Sequence, residues 1–135
     1  MRKIIFACVH NAGRSQMSAA FFNLYSDPSR ARAISAGTQP APHVHPQVIE
    51  VMKELGIDLS GAKPQKLTAG LAQDADLLIT MGCGDECPIV PGLKRDDWPF
   101  PDPKDQSIEQ TRQIRDDIER RIKAFIEAEN LCLRT

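Results

Sequence analysis

The chain has 135 residues, a length that suits one domain, spanning 1–135, with a buried core. Hydrophobic residues make up 41% and charged residues 26%, the balance of a soluble globular protein, and the net charge is −1. That near-neutral balance excludes a global field for nucleic acid or an anionic membrane, so any anion site must be built locally. No apolar run approaches the roughly 20 residues of a bilayer span. The start, Met1-Arg2-Lys3, leads into an apolar run too short for a secretory core. These features point to the cytoplasm, where cysteines are more often catalytic or metal-binding than structural.

Strands and helices alternate along the chain, the pattern of a parallel α/β sheet. Lys3 to Cys8 is an almost unbroken apolar run, as expected of a strand covered on both faces. Ser15 to Tyr25 reads as a helix with Met17, Phe21 and Leu24 on its buried side. Arg32 to Gly37 is a second strand, closed by Gly37 and the prolines at 40 and 42. His45-Pro46 opens a second helix, with Val48, Met52 and Leu55 as its stripe and Gly56 as its stop. A short helix over Leu67–Gln73 precedes a third strand, Asp76–Met81. A Gly- and Cys-bearing loop from Gly82 to Gly92 leads to a short fourth strand over Arg95–Trp98. After the turn Pro99-Phe-Pro-Asp-Pro103, a last helix runs from Ser107 to Glu129 with Ile114, Ile118, Ile122 and Phe125 facing inward. The expected architecture is a flavodoxin-like three-layer sandwich, a four-stranded parallel sheet flanked by helices.

In such sheets ligands sit at the carboxyl ends of the strands. The first of these ends carries Cys8-Val-His-Asn-Ala-Gly-Arg14-Ser15. On a strand-to-helix turn, successive backbone N–H groups of Val9, His10, Asn11, Ala12, Gly13 and Arg14 can cradle a tetrahedral oxyanion. The planar fork of Arg14 can clamp two of its oxygens. The same positive field favours the Cys8 thiolate, the nucleophilic form, and Ser15 can add a hydroxyl donor to it. The spacing alone also fits a buried structural Cys8 beside a surface Arg14. Its placement near a strand end, with Gly13 before the arginine and Ser15 after it, argues for the site. Asn11 is expected to brace the loop through its side-chain amide, and His10 to be a loop residue without a catalytic role.

Two further strand ends carry chemistry. Cys83 and Cys87 are four apart, and can be a redox pair, half of a metal site or inert. A structural zinc site needs four ligands, and His10, His43 and His45 offer no complementary spacing, so no metal is expected. Asp102, held between Pro101 and Pro103, can suspend a carboxyl over the anion loop as a proton donor, or simply make the turn. Trp98 reads as packing, far from any aromatic cluster, and Cys132 as incidental in a frayed tail.

The stretch Cys8-Val-His-Asn-Ala-Gly-Arg-Ser-Gln-Met, the Cys83/Cys87 loop and Asp102-Pro103 together resemble thioredoxin-coupled arsenate reductases. These share the fold of low-molecular-weight protein tyrosine phosphatases. The resemblance runs from Lys3 to Ile126 and includes Ser35-Ala-Gly37 and Cys87-Pro-Ile-Val-Pro91. It implies Cys8 as nucleophile, Arg14 as clamp, Ser15 as support and Asp102 as acid. It further implies that Cys83 attacks Cys8 and that Cys87 then attacks Cys83. The gap between the later cysteines is shorter than in the best-known members. Some members hold a potassium ion beside the loop; Ala19, Lys63 and Gln65 stand at the corresponding positions here, so that ion is not carried over, and Lys63 is the candidate to replace its charge.

The resulting expectation is a monomeric cytoplasmic arsenate reductase. It needs no bound cofactor, because the cysteines carry the electrons, and thioredoxin or another thiol reductant regenerates it. A tyrosine phosphatase would use the same Cys8, Arg14 and Asp102 but has no need of Cys83 and Cys87. A thiol-based metalloid sensor would use the three cysteines but leaves Arg14 without a purpose.

Overall fold

A computed structural model of the protein describes residues 1–82 and 90–132. Four strands, β1 (Arg2–Cys8), β2 (Ala31–Gly37), β3 (Leu77–Thr80) and β4 (Arg95–Asp97), form one sheet in the order β2-β1-β3-β4. Every neighbouring pair is parallel, as the alternation predicts. The helices are α1 (Arg14–Tyr25), α2 (Pro46–Lys53), α3 (Ala69–Ala72) and α4 (Ile108–Ala128).

The sheet is covered unequally. Ile4 and Phe6 of β1 and Ile79 of β3 pack with Met17, Phe21 and Phe22 of α1, Val48, Val51 and Met52 of α2, and Ile114, Ile118 and Ile122 of α4. The alternate residues Ile5, Ala7 and Leu78 face a thinner layer made by α3 and partly buried residues such as Leu67, Val90 and Leu93. Both faces of β1 are therefore dry, which is why its sequence is apolar without alternation. β4 is a three-residue edge strand, exposed along its length and charged, a form that discourages further strand pairing.

Two stripe residues fall elsewhere than the periodicity predicts. Leu24 is 48% exposed, and its expected place in the core is taken by Phe22, which packs at 6.0 Å from Phe6. Leu55 is 42% exposed because α2 ends at Lys53, and the turn closed by Gly56 carries residue 55 off the helical face; Val51 is buried instead. Trp98 does pack, but inside an aromatic cluster, 5.9 Å from Phe6 and 5.3 Å from Phe125. The polar residues of α4 also contribute inside the fold. Arg115 is buried and donates to Val51 O at 2.9 Å and Glu54 Oε1 at 2.7 Å, tying α4 to α2. The other end markers behave as expected. Ser107 caps α4 in a reciprocal box with Gln110, and Pro46 occupies the first turn of α2.

The register fixes the rim. Cys8 is paired with Gly37, Ala7 with Thr80, and Thr80 with Asp97, so the carboxyl ends of all four strands finish at one level. The segments that follow them meet above β1.

Candidate active site

Residues 8–13 form a loop whose carbonyls are all engaged on its outer side. Thr38 N donates to Cys8 O at 3.3 Å, Gln39 N to Val9 O at 2.8 Å, Ala41 N to His10 O at 2.9 Å, and His45 N to Ala12 O at 2.9 Å. Gln16 Nε2 donates to Asn11 O at 3.1 Å, and Gly13 O accepts the first helical bond of α1, from Met17 N at 3.0 Å. The segment 38–45 thus runs along the loop and holds its carbonyls outward. That close passage requires Gly37, where a Cβ would lie 2.5 Å from Val9 O.

Asn11 is the loop's keystone. It sits in the left-handed region (φ 51°), which asparagine tolerates better than most side chains. Its Oδ1 accepts from the backbone N–H of Gln65 at 2.9 Å, a donor that can face only an oxygen, and from Gln16 Nε2 at 3.2 Å. Its Nδ2 therefore faces Ser15 and donates to Ser15 Oγ at 2.8 Å. Ser15 Oγ, having accepted there, directs its own hydrogen at Cys8 Sγ, 2.8 Å away. Asn11 N donates to the same sulfur at 3.2 Å. The Cys8 sulfur is buried, with two hydrogen-bond donors aimed at it, the arrangement a thiolate requires.

Arg14 is buried and bridges the ends of two other strand-following segments. Its Nη1 donates to Met81 O at 2.6 Å and to Phe100 O at 2.8 Å, while Nη2 lies 3.8 Å from Asp102 Oδ2. Asp102 is in turn fixed by the N–H of Lys104, which donates to its Oδ1 at 3.0 Å. Gly13 leaves room for this arm: a Cβ there would stand 2.7 Å from Pro103 Cγ. Cys8, His10, Ala12, Gly13, Arg14 and Asp102 line one small cleft, joined by His45, which the sequence does not single out. Burial lowers the His45 pKa, with Asp102 opposing that shift and His10 reinforcing it.

Val9 and Asn11 of the loop and Ser15 of α1 are not among the lining residues. Cys83 and Cys87 lie outside the described residues; the chain enters that segment at Gly82, whose N–H donates to Asp97 Oδ1 at 3.0 Å. Cys132 is exposed and forms an isolated antiparallel bridge with Ser26, so the tail expected to fray is paired there. The positions matching the potassium site do not fit a cation. Ala19 has no ligating atom, Lys63 is exposed and brings a like charge, and Gln65 spans the loop to Ser35 O at 2.8 Å through its amide. Gln16 and Gln65 are bracing residues that the sequence reading misses, because a lone glutamine carries no periodic or spacing signal.

A cysteine and an arginine on one loop above a four-stranded parallel sheet, with an aspartate over the arginine, define a thiolate-based oxyanion enzyme. The chain matches the low molecular weight phosphotyrosine protein phosphatase family over residues 3–131 and belongs to it. It is 41% identical over 124 residues to a putative arsenate reductase of Halobacterium salinarum, covering 89% of this chain and 87% of that one. The solved thioredoxin-dependent arsenate reductase of Corynebacterium glutamicum superposes with a TM-score of 0.78 at 38% identity, over 95% of this chain and 61% of that one. An arsenate reductase solved in its phosphate-binding state superposes with a TM-score of 0.79 at 31% identity, over 95% and 98% of the two chains.

Proposed function

We propose that this protein is an arsenate reductase in which Cys8 is the nucleophile and Cys83 and Cys87 complete a disulfide relay. The observation that carries the reading is the Cys8 sulfur held under two donors, beside Arg14, in a family whose similar members are named for arsenate reduction. With the carbonyls of residues 8–13 taken up outside and the Asn11 N–H on the Cys8 sulfur, the remaining N–H groups are what the loop offers an anion.

Arsenate enters the cleft with its oxygens on the loop and the Arg14 fork. The Cys8 thiolate attacks arsenic, and one oxygen leaves as water with a proton from Asp102. A Cys8–S–As(V) bond now holds the substrate. The Cys83 thiolate attacks the Cys8 sulfur; the electron pair of the breaking S–As bond passes to arsenic, and arsenite departs as As(III). Cys8 and Cys83 have given the two electrons and form a disulfide. Cys87 then attacks Cys83, releasing the Cys8 thiolate and leaving a Cys83–Cys87 disulfide for an external dithiol to reduce. Thioredoxin is the donor we favour, since a similar protein is named for dependence on it. Among the described residues no helix is long and apolar enough to cross a membrane, in keeping with a cytoplasmic enzyme.

The family match favours a second use of the same loop, slow hydrolysis of a phosphate monoester through a Cys8 phosphoenzyme, as a side activity. Assaying arsenite formation with a thioredoxin system tests the main reading. Wild type should turn over and Cys8→Ser should give none. Phosphatase turnover in a wild type that makes no arsenite would instead establish the second use.

A further inference from the structure

His45 is absent from the residues that spacing or resemblance brings forward, yet it lines the anion cleft with Cys8, His10, Ala12, Gly13, Arg14 and Asp102. Its place is fixed by backbone. His45 N donates to Ala12 O at 2.9 Å, and His45 O accepts from Val48 N at 3.0 Å and Ile49 N at 3.1 Å. Pro46 keeps it extended (φ −59°, ψ 133°), so it stands as the cap of α2 directly against the loop. Its ring is close: Cδ2 lies 3.6 Å from where a Gly13 Cβ would be. Gln47 Nε2 donates to Pro103 O at 2.9 Å, so the start of α2 is also tied to the arm that carries Asp102. His45 and Asp102 thus both border the cleft.

The two histidines of the cleft are not equivalent. His10 Nδ1 is spent on Gln39 O at 3.2 Å, which orients that ring along the 38–45 segment. The His45 ring makes no hydrogen bond among the described residues. A half-buried imidazole with an unspent donor, on the wall of an anion cleft, has an oxyanion as its natural partner.

We propose that His45 is an oxyanion-binding residue of this cleft, donating to an outer oxygen of the bound anion from the α2 side. This deepens the anion-loop reading and rests on it. The neutral ring supplies one hydrogen bond; the protonated ring adds a full positive charge. The charged groups around it are Asp102 and Asp105, which favour that protonation, and His10 and Lys104, which oppose it, with burial also opposing it. Because its pKa is held below the ordinary 6.5, His45 is neutral at pH 7 and charges only as pH falls further. Anion affinity should therefore rise on the acid side.

Sulfate is the probe, since it is tetrahedral and does not itself titrate near neutrality. Cys8→Ser removes the thiol's own titration and serves as the background. Sulfate binding is measured by calorimetry from pH 5 to 8. In Cys8→Ser, affinity should rise at least about fivefold as pH falls, the effect of one added charge at close range. Adding His45→Asn should abolish that rise, while asparagine still caps α2 and keeps the fold. Adding His10→Asn should keep the rise, because the His10 ring is turned to Gln39 O. A rise that survives His45→Asn, or vanishes with His10→Asn, overturns the assignment. So does sulfate binding that is flat across the range in Cys8→Ser. Failure of folded Cys8→Ser to bind sulfate at any pH would overturn the anion-loop reading itself, and His45 with it.

Discussion

The floor and the arm of the cleft are held in opposite ways. The floor, residues 8–15, is buried: Cys8, Asn11, Ala12 and Ser15 are nearly or fully inaccessible, and the carbonyls of residues 8–13 all have partners. The arm, Pro99 to Asp105, brings Asp102 to the cleft with its side chain 44% exposed, against 10% for Arg14. The Cys8 sulfur, the proposed nucleophile, is held by bonds from Ser15 and Asn11 that do not depend on a ligand. Asp102, the proposed proton donor, is partly exposed, on a segment stiffened by three prolines and attached through Arg14 and Gln47. Pre-set electrostatics on the floor and an accessible acid on the arm suit a reaction whose leaving oxygen must become water.

Changes on the floor should therefore do more damage than changes on the arm. Arg14→Lys keeps the charge but loses the fork and cannot hold Met81 O and Phe100 O while also clamping an anion. A loss of about 1,000-fold in arsenate kcat/KM is expected, at the upper end for losing an oxyanion donor. Steady-state rates near wild type would show that Arg14 serves only as a strut. Asp102→Asn should cost about 100-fold, in kcat rather than KM, since in the proposed reaction the lost group acts on the leaving oxygen. Unchanged kinetics would return Asp102 to turn formation.

Gly13→Ala probes the boundary between the two. Its Cβ would stand 2.7 Å from Pro103 Cγ, and a proline ring cannot swing away as a flexible side chain can. The arm should be displaced while the floor stays, so sulfate binding should persist and turnover fall by up to about 100-fold. Equal loss of both would mean that floor and arm are one unit.

The smallest effect lies away from the cleft. Arg112 and Arg115 donate to Glu54 and hold its pKa near 2, down from 4.5. A carboxylate with a lowered folded pKa stabilises above its unfolded value and loses that contribution as pH falls through the folded one. The Tm difference between wild type and Glu54→Gln should be present at pH 7 and close between about pH 4.5 and pH 2. A constant difference across that window would place the effect in packing rather than charge.

Much of this was legible in the sequence, and the exceptions share a cause. The strand-end positions of Cys8 and Asp102, and the parallel order of the sheet, follow from local signals: apolar runs, turn residues and spacing. Leu24 and Leu55 went astray because periodicity defines a face but not where the helix stops or which neighbour covers it. Asn11 was legible as a brace, but its partner Gln65 was not, since their contact joins residues 54 apart through one backbone N–H. His45 was hidden for a similar reason. As the residue before Pro46 it reads as a helix start, and only the bond to Ala12 brings it to the cleft.

Thiol counting after a single exposure to arsenate tests the central claim most directly. Fully reduced wild-type protein is mixed with excess arsenate and no reductant, and arsenite, free thiols and disulfides are measured. One arsenite per chain, two thiols lost and a Cys83–Cys87 disulfide by peptide mapping is the predicted result. Arsenite released with all thiols intact, or no arsenite from a protein that binds arsenate, would contradict it.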